Sequence, residues 1–442
     1  MNTDPIVIIG AGWAGLAAAV KLTEQGHRVS VYESAKQIGG RARAVSFNDM
    51  QVDNGQHLLI GAYTECLHVM KTVGINNEQA LKRLPLSLTV VDKTTLALQA
   101  PALPAPLHLL YALVTAKGLK FRDRTAAIKF GLFLKKNNYQ LKKDTSVEEL
   151  FKLTKQTDIL VRQLWEPLCL ATMNTPINIA SANVFMTVFK DAFTNKTKDA
   201  DALLSTIDLS NLFPNAATNY IEKNGGKVYL KSRVEDIEIK ENNVSTITVK
   251  TNNTVEKIKA SQVIVATAPQ NLNKLIPKNS ALGLINKNIA QFNYEPIVTV
   301  YLQYPKETQL PQAMTGLSST LSQWVFDRGD FCQQAGLISV VISANGEHMN
   351  MDDATLAQTV HNEIAVLFID KPTLVKSFVI REKRATFSSV VNINDIRPKN
   401  KTNIQGLYLA GDYTDTGYPA TLEGAVRSGI AASNLIKEKD YD

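Results

Sequence analysis

The apolar run from Ile6 to Ile9 ends at a glycine and gives way to Leu16-Ala-Ala-Ala-Val20, the pattern of a central parallel strand feeding a helix. Gly26 closes that helix, and Arg28 to Glu33 alternates apolar and polar positions as a second strand, completing a βαβ unit. Two β-rich runs between Leu86 and Leu98 flank Asp92-Lys93 and predict a hairpin. From Pro101 to about Tyr220 the periodicity is mostly helical, over Phe121 to Leu134, Ser146 to Leu170 and Asn211 to Glu222, with a polar break at Asn195 to Asp201 expected as a surface loop. Strand character returns at Lys227 to Leu230, Val234 to Ile239, Thr246 to Lys250 and Val263 to Pro269, then at Val298 to Tyr304, Leu337 to Ser343 and Val375 to Arg384. Strand-like Leu407 to Ala410 and a small-residue helix, Glu423 to Leu435, follow.

Nucleotide-type elements thus stand at the start, middle and end of the chain, without internal repeats. The expected fold class is α/β: a Rossmann-like lobe from residues 1–80, 221–275 and 400–442, interleaved with an α+β lobe from 81–220 and 276–399 that carries an antiparallel sheet plus helices. A chain of 442 residues exceeds what one core usually holds, which agrees with two lobes. Apolar residues at 45% and charged residues at 20% suit an ordinary globule.

Charge and cysteine content narrow the function classes. The formal charge is +7, but the lysines are scattered and no basic run is interleaved with aromatics, so a nucleic-acid partner is not expected. The excess charge suits either a solvated surface or a mild attraction to anionic lipid. Cys66, Cys169 and Cys332 are an odd number with no Cys-x-x-Cys, which indicates neither a disulfide framework, nor a metal site, nor a dithiol redox centre. A reducing cytoplasm fits; no export signal opens the chain, and no window reaches the roughly 18 apolar residues of a membrane span.

Gly10-x-Gly12-x-x-Gly15 follows the buried strand and opens the helix, with Glu33 placed 18 residues after the last glycine at the end of the second strand. In that context Gly10 permits the tight turn, Gly12 lets the backbone approach a pyrophosphate, and Gly15 lets helix and strand pack closely. The helix N-terminus presents unpaired N–H groups to the phosphates, and Glu33 is expected to accept hydrogen bonds from the ribose hydroxyls. FAD and NAD share this fingerprint, so it does not choose between them. There is no second fingerprint for a built-in NAD(P)H domain.

Gly39-Gly40-Arg41-Ala42-Arg43, Asp53-Asn54-Gly55-Gln56-His57, Gly411-Asp412 and Thr421-Leu422-Glu423-Gly424-Ala425 resemble the flavin segments of the amine oxidase and phytoene desaturase superfamily. The resemblance implies an amine-oxidase-like fold and non-covalent FAD, with Trp13, Ala14, Gly40, Arg41, Arg43, Gly55, Gln56, His57, Val234, Gly411, Asp412, Thr421, Leu422 and Ala425 joining the fingerprint residues as cofactor-binding positions. It also implies that Gly40 and Arg41 cap the pyrophosphate, that Asp412 serves the ribityl and pyrophosphate region, and that the last helix aims its N–H groups at the isoalloxazine carbonyl.

Within that superfamily, Leu164-Trp-Glu-Pro-Leu-Cys169, Asn174-Thr-Pro176, Gln323-Trp-Val-Phe-Asp-Arg328 and Asp412 to Thr421 are most similar to the squalene-associated desaturases, the hydroxysqualene dehydroxylase family. This implies an apolar polyprenoid substrate, hydride delivery from reduced flavin to an allylic carbon, and a proton donor for the departing hydroxyl. Asp327 reads as a buried acid or as a structural partner of Arg328, His57 as a flavin or substrate contact or a structural histidine, and Glu166 likewise. Leu103 to Val114, edged by Lys117, Lys120 and Arg122, suits either a helix lying in a membrane interface or a core helix. A cytoplasmic protein, peripheral on the inner face of the cytoplasmic membrane, follows from the former; the external electron donor is left open. A carotenoid or phytoene-type desaturase and a flavin amine oxidase are the rivals; the latter commonly carries an aromatic residue where this chain has Thr421, with Tyr418 as a nearby substitute.

Overall fold

The computed structural model describes residues 5–47, 50–275 and 282–436; the outermost parts of the expected lobes, residues 1–4, 48–49, 276–281 and 437–442, lie outside the described residues. The first lobe is built on a five-stranded parallel sheet in the order Lys227–Tyr229, Val29–Tyr32, Ile6–Ile9, Val263–Val265, Leu407–Leu409. All four residues of Ile6–Ile9 are buried, as a central strand covered on both faces requires. The helix Trp13–Glu24 lies on one face and is itself covered by Pro214–Lys223 and by the last helix, Leu422–Ser433.

Two glycines make this packing sterically feasible. A Cβ on Gly15 would sit 2.0 Å from the Gly10 carbonyl oxygen, and one on Gly429 would sit 2.2 Å from the Ala14 carbonyl oxygen. The first helix is therefore in backbone contact with the strand before it and with the last helix beside it.

The second lobe is a seven-stranded sheet in the order Lys376–Phe387, Tyr294–Gln303, Leu337–Ser343, Trp324–Asp327, Met314–Leu317, Ser87–Val91, Leu96–Gln99. Its pairings are antiparallel except where Ser87–Val91 meets Met314–Leu317. The helix Asp353–Ile364 packs on one face through Leu356, Val360 and Ile364. Against the other side lies a helical cluster whose aromatic centre is Phe130, Phe151, Trp165, Phe185 and Phe189. A separate antiparallel sheet, Ser232–Lys240, Asn243–Thr251 and Thr254–Lys259, branches from the nucleotide lobe.

Several expected elements are cut shorter or divided. The run from Ser146 becomes Val147–Leu153, Asp158–Leu160, a widened turn over Val161–Trp165, and Glu166–Met173. Lys155 takes φ +53° and ends the first segment, whereas Pro167, which lacks the N–H that a regular turn needs, stands just after the widened turn while helical backbone runs on from Asp158 to Met173. Pro214 likewise separates Leu209–Leu212 from Pro214–Lys223. These last segments bury Leu209, Phe213, Ala217 and Ile221 in one core with Ile8, Leu16 and Val31 of the nucleotide-type elements. The strand expected over Val263 to Pro269 stops at Val265, because the chain leaves the sheet beneath Gly10.

Gly429→Val should cost about 3 kcal/mol of stability, since the side chain would have to displace helix backbone rather than a mobile side chain. Chemical denaturation checks this, and an unshifted midpoint would refute the close helix contact.

Candidate functional site

Between the lobes lies a cavity of about 1180 Å³, open to solvent along part of its length. It exceeds the range of about 300–1,000 Å³ usual for small-molecule pockets, leaving room for a dinucleotide and a second molecule. One end is walled by glycine: Gly10 (φ +105°), Gly12, Gly39 and Gly40, with a Cβ on Gly40 placed only 3.2 Å from the Gly12 Cα. The N-termini of the first and last helices both reach this cavity, through Gly12, Trp13 and Ala14 on one side and Thr421, Leu422 and Ala425 on the other. Two converging helix N-termini make a site for negative charge.

The surrounding side chains hold this cradle in shape. Glu33 lines the cavity at the end of its strand, its carboxylate accepting from the Ala11 and Ala35 N–H groups at 2.8 Å each. Trp13 donates its indole N–H to the Ala42 carbonyl at 3.1 Å, fixing the loop that carries Arg41 and Arg43. The Arg41 guanidinium pairs with Asp412 at 2.7 Å and donates to the Ala385 carbonyl at 2.6 Å, joining the two flavin segments and the second lobe. Arg43 donates to the Gly40 carbonyl. Gly55, Gln56, Val234 and Gly411 line the cavity, whereas Gly15 sits behind it as a packing position. Thr421 caps the last helix by accepting from the Gly424 N–H at 3.1 Å, and Glu423, fully buried, accepts from the Glu65 and Cys66 N–H groups at 3.2 and 2.9 Å.

Beyond the cradle the wall becomes apolar: Leu58, Leu170, Met173, Ile297, Trp324, Phe326, Val341 and Phe387. His57 stands where the two regions meet. Its Nδ1 lies 2.8 Å from the Gly55 carbonyl oxygen, which can only accept, so Nδ1 carries the hydrogen and Nε2 is an acceptor. Burial holds the imidazole below the ordinary histidine range, with Arg41 adding to the effect and the Gly55 carbonyl and Asp53 opposing it. His57 is thus a neutral acceptor near pH 7.

Asp327 lies outside the cavity lining. In the strand Trp324–Asp327 alternate residues face opposite sides; Trp324 and Phe326 line the cavity, and Asp327 does not. Its carboxylate accepts from the Gly329 N–H at 2.9 Å and the Leu310 N–H at 2.8 Å, capping a short helix, so it is structural rather than catalytic. Nor does Tyr418 replace the missing aromatic ring. Its hydroxyl donates to Asp191 at 2.6 Å and the Arg427 guanidinium covers its face at 4.1 Å, away from the cavity.

Two arginines not anticipated as site residues support the wall from behind. Arg328, 2% exposed, donates to Gln56 Oε1 at 2.6 Å and Gln334 Oε1 at 2.5 Å and pairs with Asp53 at 3.4 Å. Burial pushes the Asp53 carboxyl up, against the pull of Arg328 and the Leu209 N–H. Arg397, also buried, donates to the carbonyls of Asp412, Tyr413 and Tyr418 at 2.9, 3.4 and 2.6 Å, clamping the second flavin segment; burial lowers its pKa to about 10. Buried Asn174, at a left-handed helix end, joins Pro296, Thr386 and Ala344 across three strands. For Asn174 and Arg328 the family-like stretches were a signal; for Arg397 none was visible.

A phosphate-binding turn, an acidic residue at the second strand end and a Gly-Asp segment feeding a helix N-terminus define an FAD-dependent oxidoreductase, and the glycine-walled cradle fits that cofactor. The chain belongs to the flavin containing amine oxidoreductase family, whose model matches residues 13–437. Among curated relatives it is 27% identical to the hydroxysqualene dehydroxylase of Zymomonas mobilis, covering 97% of this chain and 98% of that one. It is 28% identical to the enzyme of the same name from Rhodopseudomonas palustris (97% of each) and 24% identical to a probable zeta-carotene desaturase of Synechococcus elongatus (98% of each). Among solved structures, an oxidoreductase from Methanosarcina mazei superposes with a TM-score of 0.72 at 15% identity over 97% of this chain and 99% of that one. Cyclohexylamine oxidase from Brevibacterium oxydans gives 0.69 at 16% over 98% of each. The fold is amine-oxidase-like.

Arg328→Met leaves a buried carboxylate without its partner and should cost about 3–5 kcal/mol, part of which the double variant with Asp53→Asn should recover. Denaturation midpoints measure both, and a single-variant loss under about 1 kcal/mol would contradict the pairing. The pH dependence of cofactor-free protein tests His57. A histidine with a folded pKa below about 6.5 contributes stability that is full above that pH and is lost as pH falls toward the folded value. His57→Gln should remove this acid-side loss; superimposable pH–stability curves would show that His57 is not held neutral.

Proposed function

We propose that the protein removes the allylic hydroxyl of hydroxysqualene, using reduced FAD to form squalene and water. The observation that carries this reading is the continuity of the flavin cradle with a wall of Leu, Met, Ile, Val and aromatic side chains, suited to a long isoprenoid. Names of the two hydroxysqualene dehydroxylase relatives support the same assignment. In the net change a C–O bond breaks and a C–H bond forms. Bound reduced FAD supplies the hydride equivalent, two electrons included, while a proton joins the departing oxygen to give water.

The chain's own residues serve this change in distinct ways. Leu58, Leu170, Met173 and Ile297 bind the hydrocarbon and exclude water. The π faces of Trp324, Phe326 and Phe387 stabilise positive charge developing at the allylic carbon. The N-terminus of the last helix, its backbone N–H groups held by the Thr421 cap, favours negative charge at the cradle. Neutral His57 accepts a hydrogen bond at Nε2 and so orients a hydroxyl rather than protonating it.

A desaturase, in which electrons flow from hydrocarbon to flavin, is the second reading, favoured by the zeta-carotene desaturase relative and by an acceptor rather than an acid at His57. Anaerobic titration separates the two. Dithionite-reduced enzyme should be reoxidised by hydroxysqualene with formation of squalene. Reoxidation failing with hydroxysqualene while oxidised enzyme is bleached by phytoene would replace the first reading by the second.

A further inference from the structure

We propose that the helix Leu107–Thr115, together with the start of the helix Phe121–Lys136, docks the protein on an anionic lipid bilayer. This surface is independent of which isoprenoid the cavity takes. The helix sequence, LHLLYALVT, contains no Lys, Arg, Asp or Glu. His108, Ala112 and Leu113 point inward and are buried, as a surface helix of a globule demands. The outward positions should then be polar, but they are Leu107, Leu110, Tyr111 and Val114, exposed by 52, 41, 50 and 45%. Their spacing, i, i+3, i+4, i+7, is one continuous stripe.

The stripe is extended on both sides by exposed apolar residues, Leu103 before it and Phe121 after it, the latter 82% exposed. It is also held rigidly. Arg124 donates to the Ala116 carbonyl at 2.9 Å, and Lys117 exchanges backbone hydrogen bonds with Ala97 of the seven-stranded sheet. A contiguous apolar patch fixed in this way marks an interaction site rather than a frayed segment.

Charge identifies the occupant. Residues 101–122 carry Lys117, Lys120 and Arg122, all exposed, and no carboxylate. The first acid, Asp123, is buried and turned inward, accepting from the Lys120 N–H at 2.9 Å and the Thr157 hydroxyl at 2.8 Å. An apolar stripe with Leu and an interfacial Tyr, bordered by cations, matches the acyl boundary and phosphate layer of an anionic bilayer. Too short to span, it would lie in the interface, in keeping with the lack of any membrane-crossing helix among the described residues.

Co-sedimentation of the FAD-loaded protein with vesicles tests this. Wild type should bind vesicles of mixed phosphatidylglycerol and phosphatidylcholine, bind pure phosphatidylcholine more weakly, and be released from the former by salt. The variant Leu107→Ser/Leu110→Ser/Tyr111→Ser/Val114→Ser should lose about tenfold or more of binding to both vesicle types. Lys117→Gln/Lys120→Gln/Arg122→Gln should lose only the preference for the anionic lipid. Both variants should keep the flavin absorbance, which confirms folding, and wild-type turnover on detergent-dispersed substrate. Wild type remaining in the supernatant with the mixed vesicles, or a stripe variant that binds as well as wild type, would overturn the assignment. So would a wild-type dimer that the serine variant converts to monomer, since a second copy of the chain would then occupy the stripe.

Discussion

The steric demand that two helices from opposite ends of the chain aim at one cofactor governs the architecture. Their N-termini can meet only if the helix bodies touch backbone to backbone, and the absence of side chains at Gly15 and Gly429 permits that contact. The alanines of the first helix extend the close packing, and the parallel sheet beneath it places both helix starts at the carboxyl ends of their strands. The Arg41–Asp412 pair then bridges the two flavin segments across 371 positions of sequence. Helix dipoles, glycine turn and ion pair are consequences of one approach distance.

Polarity is sorted by depth around this site. The stretch of wall formed by Ile297, Trp324, Phe326, Val341 and Phe387 is apolar, although Glu382, Lys383 and Arg384 line the cavity elsewhere, and further charged groups stand one layer back: Arg328 behind Gln56, Asp327 on the reverse of the strand carrying Trp324 and Phe326, Arg397 beneath the Gly-Asp segment. A charge exposed on the wall itself would retain water and oppose a hydrocarbon ligand. Buried among carbonyl, amide, hydroxyl and carboxylate oxygens, the two arginines fix the position of the segments around them. Neutral His57 fits the same economy, because its spare proton is committed to Gly55.

The nucleotide lobe was legible in the sequence because its signals are local: a glycine spacing, an apolar strand and an acid at the strand end all act within about thirty residues. The antiparallel sheet was legible as separate strands, with Leu337–Ser343 matched in both bounds. Its order was not, and the parallel contact of Ser87–Val91 with Met314–Leu317 joins partners more than two hundred positions apart. Asp327 illustrates the limit. Residue type left it open between an acid and a structural partner, whereas its place followed from strand parity and from two N–H donors at positions that periodicity does not reveal. Arg397 was invisible for the reason that its partners are main-chain carbonyls, which leave no trace in residue type. The helical segment after Ser146 failed differently, since periodicity continued through Lys155, where the backbone turns left-handed.

The interleaved order of the sheet has a consequence during synthesis. The outer strand Leu407–Leu409 and the helix after it are the last described pieces of the nucleotide lobe to leave the ribosome. Until then the strand Val263–Val265 has an open edge and the first helix an uncovered flank. A nascent chain therefore carries a half-built cradle until the helix ending at Ser433 has emerged, which orders flavin capture after that helix.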